Sequence, residues 1–260
     1  MTHGIATSSV IPMRVEPSEH SEMVSQLLWG ETFKVKESAN NDWIKVHSLA
    51  DNYGGWISRK MVDILPEKEW MEYANAPHSL CTALRYAINQ ITKERALIPH
   101  GAVLYNYNEN NRTFSLGSNT YQLQENIPVI SPNKLSCILS TAHDMLNAPY
   151  LWGGRTTLGV DCSGLTQLCF RMAGVSLPRD AHQQAELGEQ IKSTSEAKGG
   201  DLAFFINDSG KITHVGIVLE NGQIVHSSGK VRIDELKSEG IYNKDLDSYS
   251  HKLSSIKRIL

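Results

Sequence analysis

No stretch of this chain approaches the roughly 18 consecutive apolar residues that a membrane-spanning helix needs. Its apolar runs are as short as Val215-Gly216-Ile217-Val218-Leu219. An excess of either charge is missing too. Lys and Arg number 25 against 28 Asp and Glu, a formal charge of -3 over 260 residues. A strongly basic nucleic-acid binder is therefore not expected. With 40% apolar and 20% charged residues, the chain is also too apolar and too evenly charged to be disordered. Met1-Thr2-His3-Gly4-Ile5-Ala6-Thr7 has no basic stretch leading into an apolar one, so no signal peptide is visible. The expected location is cytoplasmic, or periplasmic or extracellular if a leader has been removed. Cysteine is scarce: Cys81, Cys137, Cys162 and Cys169, none in a C-x-x-C pair. That argues against a cysteine-built zinc site. The histidines lack H-E-x-x-H or similar spacing, and no metal or organic cofactor is expected. Cys162 and Cys169, seven apart on one helix, would sit ~10 Å from each other, too far to bridge.

Residues 1–66 hold short runs rich in β-branched and aromatic residues: Val10–Val15, Glu31–Val35, Asp42–His47 and Gly55–Ile57. Turn signals part them at Glu16-Pro17, Trp29-Gly30, Asn40-Asn41-Asp42 and Tyr53-Gly54-Gly55. Strands so short and so closely spaced predict a small barrel. The succession Met13-Arg14-Val15-Glu16-Pro17, Leu28-Trp29-Gly30-Glu31, Asp42-Trp43-Ile44-Lys45-Val46 and Gly54-Gly55-Trp56-Ile57 resembles the bacterial SH3 (SH3b) family. Residues 67–130 are less legible. Ser79–Lys93 fits a helix or a strand pair, whereas Ala96–Tyr107 and Arg112–Gln124 alternate like strands around Asn108-Glu109-Asn110-Asn111. Pro99-His100-Gly101-Ala102-Val103-Leu104 resembles the bend of a second, degenerate SH3b-like domain.

Residues 131–260 follow a different pattern. Leu135–Leu146 carries apolar residues at 135, 138, 139, 142, 145 and 146, a helical stripe. Asn147-Ala148-Pro149 breaks it. Asp161–Ala173 predicts a second helix, with Leu165, Leu168, Cys169 and Met172 on one face and Gly174 as its stop. Strands follow at Leu202–Ile206, His214–Leu219, Gln223–His226 and Ile256–Ile259. Helices before an antiparallel sheet make an α+β class.

The chemistry concentrates in Tyr150-Leu151-Trp152-Gly153-Gly154 and Asp161-Cys162-Ser163-Gly164. Asp161 is placed to cap the helix. Cys162 then falls in the first turn, where free N–H groups and the helix dipole favour a thiolate. The glycines would let a substrate backbone come close. Cys169, on the apolar stripe, reads as a small core residue. Spacing alone never proves a catalytic pair, so Cys162 needs a base. Two histidines stand in the strand pair around Glu220-Asn221-Gly222, and the loop decides whether they cooperate. A two-residue turn at Asn221-Gly222 pairs residues whose numbers sum to 443, which sends His214 and His226 to opposite faces. A three-residue loop with Gly222 left-handed shifts the sum to 442 and makes them diagonal neighbours on one face. Catalysis requires the second, and a bulged or three-residue loop is predicted.

Residues 133–260 resemble the NlpC/P60 family of cell-wall cysteine peptidases. The residues that carry the resemblance are Trp152-Gly153-Gly154, Asp161-Cys162-Ser163-Gly164, Pro178-Arg179-Asp180, Gly200-Asp201-Leu202 with Phe204-Phe205, His214-Val215-Gly216-Ile217, and His226. Gly199 departs from the family's usual Pro, a loop change. The resemblance implies a papain-like core with Cys162 as nucleophile, His214 as general base and then acid, and His226 as the residue that orients it. The order of SH3b modules before this domain, with Asp180 after Pro178-Arg179, resembles the dipeptidyl-peptidase branch. That implies a peptidase that trims free murein peptides for cell-wall recycling, and a monomer is the expected state. It would cut the γ-D-glutamyl bond to a diamino acid and release L-Ala-γ-D-Glu. The branch's SH3b module walls the cleft, so a free N-terminal L-Ala is required. The buried amine needs polar partners: Asp180 by its motif, with Glu16 and Tyr53 from the SH3b loops. Trp152 would wall the cleft, and Asp161 and Ser163 would lie beside the substrate. Two other readings are a non-catalytic peptidoglycan-binding protein and a papain-like acyltransferase.

Overall fold

Short alternating runs fold as antiparallel strands throughout the N-terminal half. The computed structural model describes residues 2–39, 42–128 and 130–260, so Asn40 and Asn41 of the turn expected there lie outside the described residues. The chain divides into two units, Met1–Val129 and Ile130–Leu260.

In the first unit, β1 (His3–Ala6), β2 (Val10–Arg14), β3 (Met23–Leu28), β4 (Thr32–Ser38), β5 (Trp43–Ser48), β6 (Gly54–Ser58) and β7 (Val62–Leu65) form one sheet, ordered β3-β2-β6-β5-β4-β1-β7. Alternation buries Ile11 and Met13 from β2 and Ile44 and Val46 from β5 around Phe33. After Pro66 comes a helix that the periodicity had not revealed, α1 (Glu67–Asn75), which buries no residue fully. A second sheet holds β8 (His78–Leu80), β9 (Arg85–Asn89), β10 (Arg95–Ile98), β11 (Val103–Asn108), β12 (Thr113–Leu116) and β13 (Asn119–Leu123). The ambiguous Ser79–Lys93 segment is therefore extended. In β9 the buried residues are Ala87 and Asn89 and the exposed one is Tyr86, a period of two that a helix cannot use. The two sheets share a core of Trp29, Leu104 and Phe114. Gly30 makes the junction possible: it sits at φ +77°, and an added Cβ would lie 2.3 Å from the Val103 carbonyl oxygen. The boundary expected at residue 66 thus lies inside this unit.

The second unit starts with α2 (Lys134–Asp144), capped by Asn133, whose Oδ1 accepts from the Ser136 N–H at 3.0 Å. The ribbon β14 (Arg155–Thr156) and β15 (Gly159–Val160) leads into α3 (Cys162–Met172). All of α3 except Arg171 is buried, so it is the central helix of the unit. After the short α4 (Ala181–Gln184) come β16 (Glu189–Ile191), β17 (Leu202–Ile206), β18 (Ile212–Val218), β19 (Gln223–Ser228), β20 (Lys230–Leu236), β21 (Gly240–Asn243) and β22 (Ser248–Arg258). Their order is β16-β22-β17-β18-β19-β20-β21, and β21 pairs back onto β22. Six strands therefore close into a barrel filled by Ala203, Phe205, Val218, Ile224, Ile241 and Ile256. Helices and an antiparallel barrel make the α+β architecture. Strand β20 was not foreseen because its pattern is inverted: Asp234 is buried while Ile233 is 39% exposed.

Candidate active site

The hairpin of β18 and β19 settles which histidines can meet. Its pairs are Gly216 with His226, Ile217 with Val225 and Val218 with Ile224, each summing to 442. Asn221 and Gly222 adopt φ of 61° and 67°, and the loop is the three residues Glu220–Gly222. The predicted offset is the one observed, and it puts the two rings on one face. His214 Nε2 lies 2.9 Å from His226 Nδ1, with the rings edge to face at 5.1 Å.

The chain of bonds runs one step further than the sequence suggested. His226 Nε2 lies 2.9 Å from Asp234 Oδ2, across the β19–β20 pair. All three side chains are buried. A carboxylate only accepts, so the His226 proton sits on Nε2 and its Nδ1 accepts from the His214 Nε2–H. That leaves His214 Nδ1 as the basic nitrogen. Burial alone would raise the Asp234 carboxyl, but bonds from His226 and Arg232 outweigh it and hold it below its ordinary value; Arg232 donates to Asp234 Oδ1 at 2.9 Å. His214 is pushed well below its ordinary value by burial, then by His251 and His226. His251, from β22, stacks on His214 at 4.0 Å, and burial first, then His226, brings it to about 4.

Cys162 begins α3 beside this chain. Its Sγ lies 4.0 Å from the Thr213 carbonyl oxygen and faces the Val215 N–H, so the sulfur rests on the backbone either side of His214. The thiol does not behave as the helix terminus alone suggests. Burial, then the Asp161 carboxylate, pushes it up to about 11. Desolvation disfavours the charged form of both partners, which favours a neutral thiol beside a neutral imidazole over a resting ion pair. Iodoacetamide alkylation of Cys162 should then climb roughly tenfold per pH unit through neutral to mildly alkaline pH, read by mass spectrometry of the Cys162 peptide. A fast plateau from acidic pH would establish a resting thiolate instead.

Asp161 caps α3 through the Gly164 N–H at 2.7 Å. It also accepts from the Gly153 N–H at 2.9 Å and from the Arg179 guanidinium at 3.1 and 2.5 Å. Both carboxylate oxygens are thus engaged by the protein. Arg179 is 1% exposed and also donates to Ser163 Oγ at 2.8 Å. This buried knot holds the Gly-rich loop against the helix. The glycines serve that contact: a Cβ on Gly164 would lie 2.2 Å from the Gly154 carbonyl oxygen, and one on Gly154 2.4 Å from that of Gly159. They let backbone meet backbone inside the protein, where substrate approach had been expected.

Trp152 is 56% exposed, and Leu151 and Leu158 are exposed as well, at 42% and 55%. Asp180 is half-buried at the start of α4, where its N–H donates to Gln183 Oε1 at 3.4 Å. Glu16 and Tyr53 belong to the first unit. Glu16 is exposed, its N–H bonded to Ser21 Oγ at 2.9 Å, and Tyr53 is half-buried, its N–H bonded to Asp51 Oδ1 at 3.0 Å. Three features around the sulfur and the rings were not singled out from sequence: Asp234, His251 and Arg179 as a buried knot; Tyr150 stood in the chemistry-bearing segment without a role. Burial, then Cys162 and Asp161, pushes the Tyr150 hydroxyl up to about 12, so it stays protonated. The alternation of β20 had a readable signal only once Asp234 was placed on a buried face.

The chain is similar to known proteins in sequence and in fold. The NlpC/P60 family model matches residues 147–249, and the bacterial dipeptidyl-peptidase Sh3 domain matches residues 13–61. The chain is 28% identical to a gamma-D-glutamyl-L-lysine dipeptidyl-peptidase of Bacillus cereus, over 83% of this chain and 70% of that protein. It is 26% identical to dipeptidyl-peptidase 6 of Lysinibacillus sphaericus, over 94% of this chain and 96% of that one. A crystal structure of an NlpC/P60 family protein from Bacillus cereus shares the fold across 99% of both chains, with a TM-score of 0.84 at 18% identity.

Proposed function

We propose that this chain, a cysteine peptidase joining an NlpC/P60 domain to an N-terminal bacterial SH3 domain, hydrolyses the γ-D-glutamyl bond to a diamino acid in murein peptides with a free N-terminal L-Ala. The observation that carries the reading is the run Asp234, His226, His214, with the Cys162 sulfur resting on the backbone next to His214. A non-catalytic binding protein has no use for three buried polar groups aligned to fix one tautomer.

The reaction follows from the proton positions. As the sulfur attacks the amide carbon, the Cys162 proton passes to His214 Nδ1. The charge that forms on the His214 ring is stabilised through His226 by the Asp234 carboxylate. The Cys162 N–H, at the start of α3, is a donor for the oxyanion. His214 then returns the proton to the leaving amine of the diamino acid. Water, deprotonated by the same nitrogen, attacks the thioester and frees L-Ala-γ-D-Glu and the thiol. Water as the final acceptor makes the enzyme a hydrolase; an acyltransferase would pass the same thioester to an amine.

The names of the relatives support the γ-D-glutamyl bond, and the half-buried Asp180 supplies a carboxylate for the substrate amine. The test is incubation with L-Ala-γ-D-Glu-L-Lys and its diaminopimelate counterpart, each with and without an N-acetyl cap. Cleavage of the free peptides alone is expected. No cleavage of any peptide defeats the enzyme reading, and equal cleavage of capped and free peptides defeats the requirement for the amine. In the same assay Asp180→Ala should raise KM for free peptides with kcat little changed; an unchanged KM rejects its role.

Asp234 acts through His226, and its effect belongs in kcat. Asp234→Asn removes the charge but keeps an acceptor, so kcat should fall on the order of 10- to 100-fold with KM unchanged. The pH profile of kcat should move with it. A parallel loss of thermal stability without a kcat change would assign Asp234 a structural role only.

A further inference from the structure

The peptidase chemistry leaves one imidazole of the cluster unused. His251 enters from β22, half-buried, and adds a third ring to the two that carry protons. We propose that His214, His226 and His251 form a site for one divalent transition-metal ion of the zinc type, and that the bound ion holds the peptidase inactive.

The geometry supports three ligands to one ion. One nitrogen from each ring lies within 4.8 Å of the other two. Zinc–imidazole bonds of about 2.1 Å in a tetrahedron set neighbouring nitrogens about 3.4 Å apart. The His214–His226 nitrogen pair at 2.9 Å must therefore open by about 0.5 Å, and the half-buried His251 ring must turn out of its stack on His214 to aim a nitrogen at the same ion. The three residues come from strands on both sides of β17, in the order β22-β17-β18-β19. Phe205 of β17 lies 5.8 Å from the His214 ring and 6.0 Å from the His251 ring. A set of three imidazole nitrogens suits zinc and its neighbours better than calcium or magnesium, which prefer oxygen.

The second layer fits as well. Asp234 holds the His226 Nε2 proton at 2.9 Å, an outer carboxylate of the kind that fixes the tautomer of a metal-bound histidine. His226 therefore offers its Nδ1 lone pair. His251 Nδ1 lies 2.9 Å from Ser250 Oγ, which leaves its Nε2. His214 has to bind through Nε2, the atom it now shares with His226. Its proton then moves from Nε2 to Nδ1, with no proton released overall. That move fills the lone pair that would take the Cys162 proton, so an occupied site and a working base exclude each other. The sequence had suggested no metal, because its test was spacing along one element. These ligands are 12 and 25 residues apart, at 214, 226 and 251, and only sheet closure unites them.

The experiment uses the full chain carrying Cys162→Ala, which removes the thiol as a rival ligand. Titration with cobalt(II) near neutral pH should give one equivalent with the visible absorption of a tetrahedral nitrogen site, displaced by zinc in calorimetry. Adding His251→Phe, which keeps a ring in the stack, should weaken binding roughly 100-fold; His251→Asn serves if the Phe variant does not fold. With Cys162 intact, His251→Phe should still cleave peptide, and half-inhibition by zinc should need at least about tenfold more metal. Equal affinity with and without His251, binding that requires Cys162, or no stoichiometric binding at millimolar metal each overturns the proposal. The cobalt readout does not involve turnover, so a failed peptidase reading and a failed metal site remain distinguishable.

Discussion

Cys162→Ala should lower peptide hydrolysis by about 10⁴-fold or more while the protein stays folded. The two halves of that expectation have separate causes. In the proposed mechanism the thiol forms the covalent bond to the acyl carbon and supplies the first proton that His214 takes. Water activated directly by His214 would be the residual route. The fold should survive because the knot around Cys162 does not use its side chain. The cap runs from Asp161 to the Gly164 N–H, and the ion pair from Asp161 to Arg179. Losing one buried sulfur costs about 1 kcal/mol, of the order of a small core truncation. Turnover retained within tenfold of the parent would show that Cys162 is not the nucleophile. A collapse of the near-ultraviolet circular dichroism would show instead that the thiol packs the loop, and Cys162→Ser would then carry the catalytic test.

Arg179→Met is the largest stability change we expect. Arg179 and Asp161 are 1% and 6% exposed at their side chains. Removing one member of such a pair leaves the other charge uncompensated in the interior, which costs about 3–5 kcal/mol. For a unit of this size that corresponds to a melting temperature roughly 10–15 °C lower. The Arg179 charge also opposes the upward push of Asp161 on Cys162. Its loss should raise the thiol further and slow the enzyme beyond what unfolding explains. Pairing it with Asp161→Asn removes the stranded charge and should recover part of the stability, since the two sites share one interaction. A single-variant loss under about 1 kcal/mol would mean that the Gly153 and Gly164 N–H groups suffice to hold the Asp161 carboxylate.

How far the sequence reached differs between elements for physical reasons. Helix α3 was legible because its apolar stripe has a helical period and its cap is local. The offset of the β18–β19 hairpin was legible because loop length fixes register, and only one register puts both rings on a face. Helix α1 was not, since it buries no residue fully and leaves no stripe to read. Strand β20 was not, because a buried Asp234 and an exposed Ile233 reverse the usual alternation. The glycines of the 153–164 segment were legible as special positions, but their purpose was not. A sequence records that a Cβ is absent and says nothing about which backbone occupies the space.

By itself the sequence placed the candidate nucleophile at the start of its helix, the two histidines that can face each other and the SH3 grammar that precedes them. All of these depend on neighbours a few residues apart, where cap chemistry, helical period and hairpin register act. Only the tertiary structure decided which carboxylate lies at the end of the histidine pair, that burial pushes the thiol up, what Arg179 and Asp161 hold together, and that a third imidazole stands against the first. Those outcomes rest on barrel closure and burial. Closure joins strands that are distant along the chain. Removing water from a group changes the cost of charging it, and no local pattern of residues encodes either.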